Sequence, residues 1–121
     1  MASYQDLLAW QQAVDLVASA YRATRAWPKD ELYGLTAQVR RAATSVPANI
    51  AEGYGREHRR SYVHFLRIAQ GSLKELETHL IVSKRIEIAT EETIAPLLAQ
   101  CASVGKLLRL LIRKLEPSPD E

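Results

Sequence analysis

One cysteine, Cys101, stands in a chain of 121 residues, so no internal disulfide can form. That excludes a secreted disulfide framework and fits a reducing cytoplasm. Five glycines and five prolines are too few for the turn density of a β-sandwich or barrel. No uninterrupted apolar stretch reaches the about 18 residues of a membrane span, so no membrane partner is expected. The opening segment, MASYQDLLAWQQ, has no basic start followed by an apolar run, so no signal peptide is expected. Charge of one sign is also scarce: 16 basic against 14 acidic residues leave +2, a total that says little about partners. At 47% apolar and 25% charged, the chain is neither disordered nor of low complexity. Its length suits one domain, expected over residues 1–116, with a short polar tail at 117–121.

What is present is periodicity. Leu7, Trp10, Val14, Val17, Tyr21 and Thr24 recur at spacings of three and four. So do Leu32, Leu35, Val39, Ala42, Val46 and Ile50, then Tyr62, Leu66, Ala69, Leu73, Leu76 and Leu80. A fourth set is Ile94, Leu97, Cys101, Val104, Leu108, Leu111 and Leu115. At roughly 100° per residue each set lines one side of a helix. The fold class is therefore all-α, and four helices with short joints predict an antiparallel up-down-up-down four-helix bundle.

The punctuation agrees. Pro28 ends the first helix near Trp27. Gly53 and Gly55 end the second, where glycine tolerates a left-handed cap. Thr90, followed by Glu91 and Glu92, suits a capped start of the fourth. Pro47 falls inside the second stripe and should remove one ladder bond and kink the helix. Pro96 is harmless if the fourth helix starts at Thr93 and a kink if it starts at Thr90.

Helices three and four carry more apolar residues than one seam needs. Phe65, Ile68, Ile81 and Val82 lie off the third stripe, and Leu98, Leu107, Leu110 and Ile112 off the fourth. Either the core edge is generous or the chain self-associates; Leu107, Leu110 and Ile112 are the candidate oligomer interface.

Catalytic patterns are sparse. His58, His64 and His79 include no pair at the i, i+4 spacing of a helical zinc site. Glu75 and His79 do not match the doubled Glu-x-x-His of bundle di-iron sites. Cys101 sits on an apolar stripe and reads as a small core residue. Gly53-Tyr54-Gly55 follows a helix rather than a strand, so it is no phosphate loop. The expectation is a non-enzymatic protein with no metal and no cofactor; a hydrolase using Glu52 and a histidine across an interface is a distant rival.

Charge placement says more than the total. Arg40, Arg41, Arg56, Arg59, Arg60 and Arg67 face only Glu52 and Glu57 between residues 40 and 67. Arginine suits bidentate phosphate contact, so these six are candidate nucleic-acid-binding residues, for RNA or DNA. The bland alternative is a solvated face. Gln38, Ser45, Asn49 and Glu52 form a second set along one edge of the second stripe. Asn49 should be largely buried and could bond the Ala43 carbonyl that Pro47 leaves free. The set reads as a structural polar network, with a binding pocket as the alternative.

The run from Gln38 to Arg56, QVRRAATSVPANIAEGYGR, closely resembles the signature of the bacterial 23S rRNA intervening-sequence protein family. Phe65-Leu66-Arg67-Ile68-Ala69-Gln70-Gly71-Ser72, Glu75-Leu76-Glu77, the opening Leu8-Ala9-Trp10-Gln11-Gln12-Ala13 and Tyr33-Gly34-Leu35 extend it. The resemblance covers residues 4–86 and implies an antiparallel four-helix bundle assembled as a homopentameric ring. Some members are encoded within 23S rRNA genes. A related branch serves diversity-generating retroelements, presenting a basic ring surface to nucleic acid and a reverse transcriptase. By position it implies Arg40, Arg41, Arg56 and Arg67 as basic residues; Arg59 and Arg60 are added on charge alone. Ile86-Glu87-Ile88 stands where many members place a glycine. The function expected is sequence-independent nucleic-acid binding; the alternative is a scaffold docking a partner enzyme.

Overall fold

All four apolar stripes become helices in the computed structural model, which describes residues 3–116. The tail expected at 117–121 lies outside the described residues. Helix α1 spans Leu8–Thr24, α2 Leu35–Tyr54, α3 Arg59–Arg85 and α4 Glu91–Leu115. Each packs on its chain neighbours and α1 closes against α4, while the backbones of the diagonal pairs stay more than 8 Å apart at Cα. This is the antiparallel up-down-up-down bundle. Among the described residues there is no strand.

The core is one cluster, with Leu16, Ile50, Leu66, Leu73, Leu76, Leu80, Ile94 and Leu108 shielded from solvent. Truncating such a side chain to alanine costs roughly 2–5 kcal/mol. The face of α1 differs from the expected one. Its buried row is Ala9, Ala13, Leu16, Ala20 and Thr24, whereas Val14 and Tyr21 are 38% exposed. Small alanines let α1 approach its neighbours closely, and the larger side chains flank the seam. In α4 the buried row runs Ile94, Leu97, Cys101, Val104, Gly105, Leu108 and Ile112. By length and composition α4 is the one described helix apolar enough to cross a membrane, which the search for an unbroken run missed. Only 28% of that stretch is buried in the core, as one face of the helix.

The helix ends have local causes. Glu31 Oε1 accepts the Leu35 N–H at 3.2 Å, serving α2 in place of a capping side chain at Gly34. Gly55 caps α2 with φ −71°, so it is not left-handed as expected. Gly53 is needed for space: a Cβ there would lie 2.9 Å from Phe65 Cβ and 3.1 Å from the Tyr62 carbonyl oxygen. Glycine lets α2 and α3 meet there. The α3–α4 turn is a Schellman motif: Ile88 N–H donates to the Ser83 carbonyl (2.9 Å) and Glu87 N–H to Lys84 (3.1 Å). Its left-handed position is occupied by Glu87, φ 66°. Thr90 Oγ1 then accepts the Thr93 N–H at 3.3 Å, with Glu91 and Glu92 at the positive end of α4. Because α4 starts at Glu91, Pro96 is inside it and removes a ladder bond, as Pro47 does inside α2.

Candidate nucleic-acid interface

The six arginines expected as one surface divide into three kinds. Arg40 is half-buried: its Nε donates to Thr24 Oγ1 at 2.9 Å and its guanidinium lies 4.6 Å from the Tyr21 ring centroid. It ties α2 to α1, so it leaves the candidate surface. Arg56 pairs with Glu52 at 3.1 Å and stacks 4.9 Å from the Phe65 ring centroid, which leaves it partly committed. Arg41 is exposed on α2, apart from the rest. Arg59 and Arg60 are exposed at the first two positions of α3 and have no carboxylate partner among the described residues. Cations there oppose the helix dipole, so helix stability does not explain them. Arg67, one face further along, pairs with Glu116 from the end of α4.

That pairing shows what a scan along the chain missed. Antiparallel packing brings Arg109 and Arg113 of α4 beside Arg67 and Gln70, around a cavity of about 240 Å³ also lined by Ile112 and Glu116. A neighbouring cavity of about 420 Å³ shares Arg67, Gln70 and Arg109 and adds Gly71, Leu73, Lys74 and Gly105. On the other side a third, about 460 Å³, is lined by His58, Arg59, Arg60, Val63, Leu115 and Glu116. Among the described residues the α3–α4 seam thus carries six cations against two carboxylates, Glu116 and the Glu77 that holds Lys74 at 2.9 Å. The missed signal was the pair Arg109 and Arg113, one turn apart on the polar face of α4.

The polar set contracts. Asn49 is half-buried, and its Nδ2 donates to the Ser45 carbonyl (2.8 Å) and to Ser45 Oγ (2.9 Å), not to Ala43. The free Ala43 carbonyl belongs to a fully buried residue, whereas Ser45 lies one turn below Asn49 on the same edge. Ser45 Oγ shares a 2.7 Å hydrogen bond with Ser72 Oγ of α3, a partner the sequence did not suggest. Gln38 is exposed and outside this network, and Glu52 turns to Arg56. What remains is a short cross-link between α2 and α3.

The expected oligomer interface is also revised. Ile112 is 4% exposed and belongs to the core, Leu107 is half-buried against it, and only Leu110 stands out, at 50%. Ile68, Ile81 and Val82 of α3, with Ile86 at its C-cap, carry the larger exposed surplus. The Cys101 thiol is buried and pushed from 9.0 to about 12, first by burial and then by Glu77, so it is no nucleophile at neutral pH. Among the described residues no His, Cys, Asp and Glu group could hold a metal ion.

Comparison with known proteins bears on the fold and the family. No curated protein matches significantly. The structure is similar to the crystal structure of a protein of unknown function from the S23 ribosomal protein family of Bacteroides thetaiotaomicron VPI-5482, at TM-score 0.78 and 22% identity. That alignment covers 87% of this chain and 98% of the other. The family model for the 23S rRNA-intervening sequence protein matches residues 5–110, and the chain belongs to that family.

Proposed function

We propose that the protein is a non-enzymatic, self-assembling bundle protein of the cytoplasm that binds nucleic acid, RNA or DNA, without reading its sequence. The observation that carries this reading is the α3–α4 seam, where arginines outnumber carboxylates and Arg59 and Arg60 oppose the local helix dipole. No described element offers a row of base-reading side chains, so phosphate contact is the recognition mode. Assembly, as the pentameric ring that the resemblance implies, would multiply the seam and raise avidity.

The test is fluorescence anisotropy with a labelled RNA and a duplex DNA, at salt rising from about 50 mM. Affinity should fall linearly on log–log axes, and Arg59→Gln with Arg60→Gln should flatten a single-strand slope by about 1.4. No binding at low salt would overturn the reading. A scaffold role is the second reading, favoured by one feature. Leu32, Tyr33 (93% exposed) and Ile86 are exposed on the two connections at the opposite end of the bundle from Arg59 and Arg60. Such an apolar tip would suit a protein partner.

A further inference from the structure

We infer that the α3–α4 seam is a track for the sugar–phosphate backbone of one nucleic-acid strand, occupied in the free protein by the Glu116 carboxylate. This rests on the nucleic-acid reading above and gives it a location, a strand preference and a competitor.

The three seam cavities adjoin in a row: Glu116 lines both the one beside Arg59 and Arg60 and the one beside Arg113, and Arg67, Gln70 and Arg109 line both the latter and the one beside Lys74. Along α3 the track runs from Arg59 to Lys74, about 22 Å at 1.5 Å per residue. At 3.4 Å or more per nucleotide this spans about six nucleotides or fewer. Its width is set by two packed helices, whose axes lie about 8–10 Å apart. A duplex is broader than its own roughly 12 Å major groove and would touch only the rim. A single strand fits along the floor.

The floor is low for no packing reason. A Cβ at Gly71 would meet nothing within 4 Å, yet a glycine in mid-helix weakens α3. Opening the wall to a ligand backbone explains it. The charges agree. Arg109 and Arg113 are like charges one turn apart with no described carboxylate paired to either; Arg113 suits the last turn of α4, but its proximity to Arg109 is repulsive.

Glu116 is the informative residue. It sits at the C-cap of α4 in extended conformation, φ −73° and ψ 142°, where an anion faces the negative end of the helix dipole. Helix stability therefore does not place it there. Its carboxylate takes the Arg67 guanidinium across the seam, a pairing that a phosphate would reproduce in bidentate form. Both partners are exposed, so the pair is weak and exchangeable. The strand must displace Glu116 to lie against Arg67, Arg109 and Arg113. Among the described residues His58 is the one ring lining the three cavities, so the track offers charge to the backbone rather than a row of stacking platforms to the bases.

The test uses the full chain and a labelled oligouridylate of about twelve nucleotides, with a duplex of equal length beside it. Glu116→Gln should tighten strand binding about threefold or more, because it removes the competing carboxylate. Arg67→Gln with Arg109→Gln should weaken it about tenfold or more and flatten the salt slope by about 1.4. Gly71→Leu, which adds apolar bulk at the floor without changing charge and whose Cβ meets no neighbour, should weaken strand binding and leave the duplex unaffected. Circular dichroism confirms that each variant is helical. If the strand binds but these three variants behave as wild type, the track is wrong while the broader reading stands. If neither wild type nor Glu116→Gln binds at low salt, both fall.

Discussion

Glu87 occupies a backbone conformation that suits glycine far better than glutamate. It lies just past the α3 C-cap with φ 66°, held there by the two hydrogen bonds that Ser83 and Lys84 accept. For an L-residue with a Cβ, this region costs about 1–2 kcal/mol. Glycine would remove that strain but lose more freedom on folding, about 0.5–1 kcal/mol. Glu87→Gly should therefore stabilise the bundle by roughly 0.5–1 kcal/mol, seen as a higher urea midpoint at unchanged slope. A lower midpoint would show that the Glu87 side chain contributes more than its backbone costs. Arginine shows the same dependence on surroundings at this scale. Arg40 and Arg59 are equivalent in composition, yet Thr24 and Tyr21 hold the first, while the second stands free at a helix start.

Between elements, the α2–α3 contact is the most extensive in the bundle, and Gly53 permits close approach at one end of it. Gly53→Ala would press a methyl to 2.9 Å from Phe65 Cβ and 3.1 Å from the Tyr62 backbone oxygen, which cannot swing aside. Such overpacking costs about 1–3 kcal/mol. Gly71→Ala in α3 is the control: its methyl meets nothing within 4 Å. It should gain about 0.5–1 kcal/mol from helix propensity. Thermal unfolding of the two variants should move in opposite directions, and a shared direction would refute the packing argument. Helix existence was legible because a three-four spacing persists through Leu66, Ala69, Leu73, Leu76 and Leu80, all of them buried. Helix rotation was less so. In α1 the bulky Val14 and Tyr21 drew the eye, while alanine, which signals little by hydropathy, forms the seam. The seam itself could not be read from local charge. Arg67 and Arg109 lie far apart in sequence, and only antiparallel packing of α3 on α4 joins them.

Across the whole molecule, α3 presents two unlike flanks. At about 100° per residue, Arg67, Gln70 and Lys74 turn toward α4, whereas Ile68 falls about 40° from Ser72, which meets Ser45 of α2, and Val82 lies about 40° from Ile68 on the outer face of α3. Ile68 and Val82 are each 39% exposed, too much apolar surface on one flank for a helix whose core row is already complete. Self-association through that flank would cover them and leave every seam open to solvent. Ile68→Glu with Val82→Glu should then give a folded monomer by light scattering, whereas Leu110→Glu on α4 should keep the assembly. A wild type that is already monomeric, or a double variant that still assembles, removes this interface. The monomer also separates avidity from affinity. It should bind an oligonucleotide that fills one track as well as wild type does, since Arg67, Arg109 and Arg113 are untouched. For a strand long enough to engage several tracks it should lose about 10²-fold or more, because linked sites gain that much without any new contact. Equal loss for short and long strands would mean that the assembly builds the site rather than repeating it.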